Sequence, residues 1–389
     1  MADPMSATEP LPLPETVATI GPPEKESGGI LTVDLSAIVA NWRALSRRAM
    51  PAECSAVIKA NGYGCGIEQV AQALARAGCK TFFVADLSEA RRVRAVVHDV
   101  TIYVLGTLIP NTAPAFAEIA ARPVIGSLVE MAEWDAFTAQ SGWRGGFALH
   151  VDTGMNRLGL TAGEAAAAAS RIRSENHGIT LLMSHLACAE ETDNTLNERQ
   201  IALFREVRLL YRGVPASLAN SSGVFLGSSA HCDMVRPGVA LYGVNPTPGR
   251  TNPMRAVIDL RARILQVRNV QRNETVGYNA GWTAKRATRV AVVGLGYADG
   301  YLRSAGASDA APGGQAIVSG RLCPFAGRVS MDLITIDITD LPENAARRGD
   351  LVTLIGDEIS VDDVAAAGHT IGYEVLTGLG HRYHRAYRT

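Results

Sequence analysis

No two cysteines in the 389-residue sequence form a C-x-x-C pair. Cys54, Cys65, Cys79, Cys188, Cys232 and Cys323 are scattered, which argues against a zinc ribbon or a dithiol redox motif. A chain long enough to bury its own core has no need of disulfides, so reduced thiols in the cytoplasm are expected. Neither charge is in excess: 37 basic residues against 38 acidic ones leave a formal net charge of -1. A broad basic field for nucleic acid is therefore not expected. No apolar run is long enough to span a bilayer, so no membrane partner is expected either. His231 to Asp233 (H-C-D) lacks zinc spacing, and His381 and His384 lack the glutamate of H-E-x-x-H, so no metal is expected. The N-terminus lacks the basic start and apolar core of a signal peptide. Residues 1–28, rich in proline and acid, read as a mobile tail.

What the chain has is a repeating pattern. Short β-prone runs alternate with helical stretches such as IEQVAQALARAG and NERQIALFREVRLLYR. The β-prone runs are SAVIKA from Ser55, TFFVAD from Thr81, IYVLG from Ile102, PVIGS from Pro123, FALHVD from Phe147, ITLLMSHL from Ile179, ASLANS from Ala216 and DMVRPG from Asp233. Eight β-then-α units are the count of a (β/α)8 TIM-type barrel. A doubly wound open sheet is the alternative. It would not gather polar strand-end residues such as Lys59, Asp152, His185, Asn220 and Arg236 around one opening. After about Pro253 the chain turns β-rich, with glycine and charged turns, and helical periodicity returns only at VDDVAAAG. This predicts a barrel over 29–257 and a C-terminal all-β domain over 258–389, with 29–38 a possible extra strand of the latter.

Lys59 ends a small apolar run and precedes the glycine-rich turn NGYGCG. One reading is a strand-end lysine reaching water. The other is a Schiff-base lysine, whose amine attacks an aldehyde when its surroundings depress its pKa. The turn lacks the spacing of a phosphate loop, and its glycines suit close passage of backbone past a ligand.

VIKANGYGCG, DTGMNRLG, ANSSG, RPGVALYG, VGYNAGW, GLGYADGY and GRVSMD occur in that order, and the order resembles alanine racemases. These are pyridoxal-phosphate enzymes with a barrel and a β domain, working as homodimers with shared active sites. The resemblance implies that Lys59 holds pyridoxal 5'-phosphate and acts as one base. It implies that Tyr63, Asn220, Ser221 and Gly238 hold the phosphate, and that Arg157 lies near the phenolic oxygen and the substrate carboxylate. Arg236 then faces the pyridine nitrogen, with His185 as its buttress. Tyr278 is the second base, Met331 contacts substrate, and Tyr297 and Asp332 flank the substrate entrance. The implied activity is interconversion of L- and D-alanine, serving a bacterial cell wall or D-alanine breakdown. The alternatives are a broader amino-acid or serine racemase, or a non-catalytic carrier of the cofactor. Two positions depart from the pattern. His150 stands where many members have a carbamylated lysine that orients the arginine. His381 stands at the tyrosine of the C-terminal motif, with Tyr383 and Tyr387 close by.

Overall fold

The computed structural model describes residues 16–173 and 178–389. The apolar runs become parallel strands: Thr81–Val84, Thr101–Val104, Arg122–Ile125, Phe147–His150, Ile179–Met183, Ala216–Ser217 and Met234–Val235 lie side by side in chain order. The first strand is split. Glu53–Cys54 pairs with Met234–Val235, while Ala56–Val57 pairs with Thr81–Val84. At the break, the N–H and the hydroxyl of Ser55 both donate to Val235 O, at 3.0 and 2.7 Å. The two halves carry one strand across the seam, so eight strands close a parallel barrel. Both faces of such strands are covered, and this is why the runs are continuously apolar, as at Phe82, Phe83 and Val84, rather than alternating.

The second domain is built around the long strand Ile258–Val270, whose first half alternates buried and more exposed residues in a two-residue period. It pairs antiparallel with Gly29–Asp34, Thr288–Val293 and Leu351–Ile355. Gly29–Asp34 in turn runs parallel to His384–Arg388, so both ends of the chain meet in one sheet. From Leu35 the chain is already in the first barrel helix, Leu35–Ala49, which Asp34 caps by accepting the Ala37 N–H at 2.8 Å.

The structure departs from the sequence expectation in two places. The expected tail over 1–28 is ordered from Thr16: Thr16–Ile20 pairs antiparallel with His384–Arg388. Its β-branched sequence TVATI suits an edge strand, a signal masked by the surrounding proline and acid. Residues 1–15 lie outside the described residues. Near the C-terminus, a second short helix, Gly372–Thr377, follows Val361–Ala367. All six cysteines are free. Among the described residues, no helix is long and apolar enough to cross a membrane.

Asn41 ties the first barrel helix to the connection between the domains. Its amide donates to Leu241 O and Arg255 O at 3.1 and 3.0 Å, and its carbonyl accepts the Arg255 N–H at 2.8 Å. Asn41→Ala leaves these buried backbone groups unpaired and should cost about 2–4 kcal/mol in urea denaturation. A loss below about 1 kcal/mol would show that water replaces the amide at that junction.

Candidate active site

Immediately after Lys59 the chain makes an unusual turn. Ala60, Asn61, Gly62, Tyr63 and Gly64 all have positive φ, at 53, 56, 63, 50 and 77°. Three of these are not glycine, and for such residues the left-handed helical region costs about 1–2 kcal/mol each. Strain of this kind persists only where the surroundings over-determine it. Here the Gly62 N–H donates to Ile58 O, Gly64 N–H to Ala60 O and Gly66 N–H to Asn61 O, at 2.8–2.9 Å. The Asn61 N–H donates to Glu89 Oε1 at 2.9 Å, and Arg385 donates to Gly64 O at 2.6 Å. The turn brings Lys59 to an exposed position and buries Tyr63 directly behind it.

Tyr63 is stacked on Tyr242, with ring centroids 4.6 Å apart. Its hydroxyl faces Gly238 so closely that a Cβ there would lie 2.3 Å from it. Among the described residues that hydroxyl has no hydrogen-bond partner, and burial, followed by the nearby Glu89 charge, pushes its pKa up, so it stays a donor. Across the cradle, Ser221 Oγ accepts the N–H groups of Gly238 and Ala240 at 2.9 and 3.2 Å, leaving its own proton to donate. Asn220 shapes this loop: its Oδ1 accepts the Gly223 N–H at 2.8 Å. Two spare hydroxyl donors beside a glycine with no side chain suit an anionic oxygen cluster such as a phosphate ester.

Arg236 lies in the barrel core, 3% exposed. Burial lowers its pKa to about 10, which still leaves it charged at neutral pH. Its guanidinium donates to Ser217 Oγ and Ser184 O, both at 2.6 Å. The expected buttress is therefore a serine hydroxyl and a carbonyl rather than the His185 imidazole. His185 and His150 sit in the field of Arg236 and Arg157. Burial first, and those arginines second, hold His185 down at about 3 and His150 at about 4. Both rings are uncharged at neutral pH.

His150 supplies no negative charge for Arg157, and the structure holds that loop in another way. Asp152 Oδ1 accepts the N–H groups of Gly154 and Met155, both at 2.9 Å, and Asp152 Oδ2 accepts that of Asn156 at 3.0 Å. The base of the loop is closed by Leu160 N–H to His150 O and Asp152 N–H to Leu160 O. Arg157 is exposed at the tip of this closed loop. Its charge, after burial, lowers the proton affinity of Lys59, and Glu89 opposes that shift.

The other expected residues lie elsewhere. Tyr278 is 66% exposed on the β domain and Met331 52% exposed. Tyr278 follows Gly277 at the tip of the ribbon Thr275–Val276 with Trp282–Thr283. Tyr297 and Asp332 are exposed too, and Arg382 bridges Asp332 to the buried Asp299, at 2.8 and 2.7 Å. Near the C-terminus, His381 is exposed, while Tyr383 and Tyr387 are buried in packing. The tyrosine that reaches the cradle is Tyr373, its ring 6.2 Å from that of Tyr63. Sequence reasoning passed over Tyr373, Glu89 and Arg385. The one available signal was Glu89 at the third position after Asp86, which reads as ordinary helix capping.

Comparison with known proteins accords with this geometry. Residues 33–246 match the family model "Alanine racemase, N-terminal domain", and residues 257–387 match "Alanine racemase, C-terminal domain". The chain belongs to the alanine racemase family. An alanine racemase of Methylobacterium nodulans is 54% identical over 360 residues, covering 92% of this chain and 96% of the relative. Among solved structures, the biosynthetic alanine racemase of Pseudomonas aeruginosa is 37% identical, with a TM-score of 0.85, covering 93% of this chain and 100% of that one. The Bartonella henselae alanine racemase, solved with covalently bound pyridoxal phosphate, is 36% identical with a TM-score of 0.86, covering 93% and 99%.

The two depressed imidazoles make stability depend on pH. Below the ordinary histidine pKa the unfolded chain binds protons that the folded one refuses, so stability falls as pH drops from about 6.5 towards 4. His185→Asn should remove one proton from that linkage and make the slope shallower by up to about 1.4 kcal/mol per pH unit. Urea midpoints at pH 7, 6, 5 and 4.5 measure the slope, and an unchanged slope would show that His185 titrates normally.

Proposed function

We propose that this chain interconverts L- and D-alanine, using pyridoxal 5'-phosphate held through Lys59. The observation that carries this reading is the Lys59 amine, with lowered proton affinity, at the mouth of a barrel beside a cradle of unused hydroxyl donors. The Tyr63 and Ser221 hydroxyls are the groups that would hold the phosphate, with Gly238 leaving room for it, and Arg236 is assigned to the pyridine nitrogen. When bound, the cofactor withdraws electrons from the α-carbon of the substrate amine and makes its proton acidic.

The chain's own residues do the rest. Arg157 is an exposed cation at the end of a closed loop and binds the substrate carboxylate. Lys59 Nζ takes or gives the α-proton on one face. A second base must serve the opposite face, because a proton returned to the first face regenerates the starting enantiomer. Tyr278 is that base and Met331 borders the substrate. Arg236, which keeps its proton, leaves the nitrogen opposite it unprotonated and so limits how long negative charge is stored at the α-carbon. Rapid reprotonation favours racemisation over side reactions. The six free cysteines support a cytoplasmic location.

Borohydride reduction of the loaded protein should fix the cofactor on Lys59. The α-proton of alanine should exchange in deuterated water and be lost with Lys59→Ala. An adduct on another lysine would overturn the assignment, and cofactor binding without exchange would instead favour a carrier.

Tyr278 acts on the partner's site in this proposal. The charges that act on Lys59 are Arg157 and Glu89 of the barrel, while Tyr278 and Met331 are each more than half exposed on the β domain. Lys59→Ala and Tyr278→Ala homodimers should each be nearly inactive. After mixing and subunit exchange, about half the dimers are mixed, and each of these has one intact site, so about a quarter of wild-type activity should return. A mixture that stays dead after verified exchange would place Tyr278 in its own chain's site.

A further inference from the structure

Glu89 is a buried carboxylate, 9% exposed, with no ion-pair partner among the described residues. It is the third residue of the helix Leu87–Val96, where a capping glutamate would normally reach back to the N-cap N–H. Here it does something else. Oε2 accepts the Ala85 N–H at 2.8 Å, and Oε1 accepts the Asn61 N–H at 2.9 Å, across 28 positions of sequence.

Asn61 is the second residue of the left-handed turn that follows Lys59. A left-handed turn cannot pass its first N–H groups into a right-handed ladder, so the Asn61 N–H needs a partner from outside. The same helix face supplies a second clamp. Arg92, three residues after Glu89, donates to Asn61 Oδ1 at 2.6 Å and is itself gripped by Glu68 at 2.5 and 2.8 Å. Asn61 Oδ1 also accepts the Ile67 N–H at 3.3 Å. One side chain of the strained turn and its backbone N–H are thus both anchored to a single neighbouring helix.

We propose that Glu89 is a positioning residue for Lys59: it holds the left-handed turn that presents the amine, and it is the negative charge that balances the arginines at the barrel mouth. This rests on the reading of Lys59 as the cofactor-bearing amine. The charges that act on that amine are Arg157, from the loop after Phe147–His150, and Glu89. Around them lie the neutral His150 and His185, Arg236 in the barrel core, and Asp152, which acts on His150. Glu89 is the acid that acts on Lys59 itself.

The chain contains four lysines, Lys25, Lys59, Lys80 and Lys285, so each can be followed separately. The full-length protein is freed of cofactor with hydroxylamine and its amines are dimethylated with 13C-formaldehyde. Each dimethyl-lysine is then titrated by NMR, the Lys59 signal being assigned by its loss in Lys59→Arg. In Glu89→Gln, which keeps the shape and removes the charge, the Lys59 midpoint should fall by about half a pH unit or more while the other three stay in place. In Glu89→Asp, which keeps the charge and loses the reach, the midpoint should stay, while hydrogen exchange of the segment 58–66, read by mass spectrometry, speeds up by about tenfold. Unchanged Lys59 titration in Glu89→Gln together with unchanged exchange in Glu89→Asp would overturn the proposal and leave Glu89 a helix cap. If Glu89→Gln does not fold, Glu89→Asp decides through exchange alone. A borohydride adduct on another lysine would overturn the reading of Lys59 without altering the exchange result.

Discussion

The active end of this molecule depends on one local constraint, the left-handed turn from Ala60 to Gly64. Five successive residues on the unfavoured side of φ wind the chain in the left-handed sense directly after Lys59. They leave Lys59 open to the barrel mouth and bury Tyr63 against Tyr242. The conformation is expensive. Its own hydrogen bonds, such as Gly64 N–H to Ala60 O, are supplemented by groups arriving from elsewhere. Glu89 and Arg92 come from the next barrel helix but one, and Arg385 comes from the last strand of the chain.

Arg385 connects the two domains. It is 5% exposed and donates to Gly64 O, Leu379 O and Gly380 O. Its strand, His384–Arg388, belongs to the sheet of the β domain, paired between Thr16–Ile20 and Gly29–Asp34. A buried guanidinium thus joins the sheet of one domain to the strained turn of the other. The same region sends Tyr373 to the ring of Tyr63. The C-terminal segment is therefore part of the wall behind the cradle.

Electrostatics at the mouth follow from burial more than from pairing. Among the described residues Arg236 meets no carboxylate, only a hydroxyl and a carbonyl, and the two imidazoles near it are kept neutral by the same desolvation. Arg157 is positioned by the closed loop that Asp152 organises, with no acid on its guanidinium among the described residues. Burial first and Arg157 second lower the proton affinity of Lys59, against the opposing charge of Glu89, and the arginines suit anionic groups, both a phosphate and a substrate carboxylate.

Much of this was legible in the linear chain. The alternation of apolar runs with helical periods specifies a barrel because each run is too short to bury itself and must be covered on both faces. The ordered motifs carry the inventory of reactive groups: Lys59, Arg157, Arg236 and the serine–glycine cradle. Tertiary structure decided how those groups are held. The partner of Asn61 lies 28 positions away and that of Gly64 lies 321 positions away, and no local pattern encodes either pairing. Thr16–Ile20 becomes a strand only because His384–Arg388 offers it an edge. His381 takes the motif's tyrosine position and stays exposed, while Tyr373, eight residues earlier, reaches the cradle because the helix Gly372–Thr377 packs there. Residue identity follows from the sequence, but a hydrogen bond's partner and a ring's neighbour are set by which distant segments the closed barrel and its added sheet bring together.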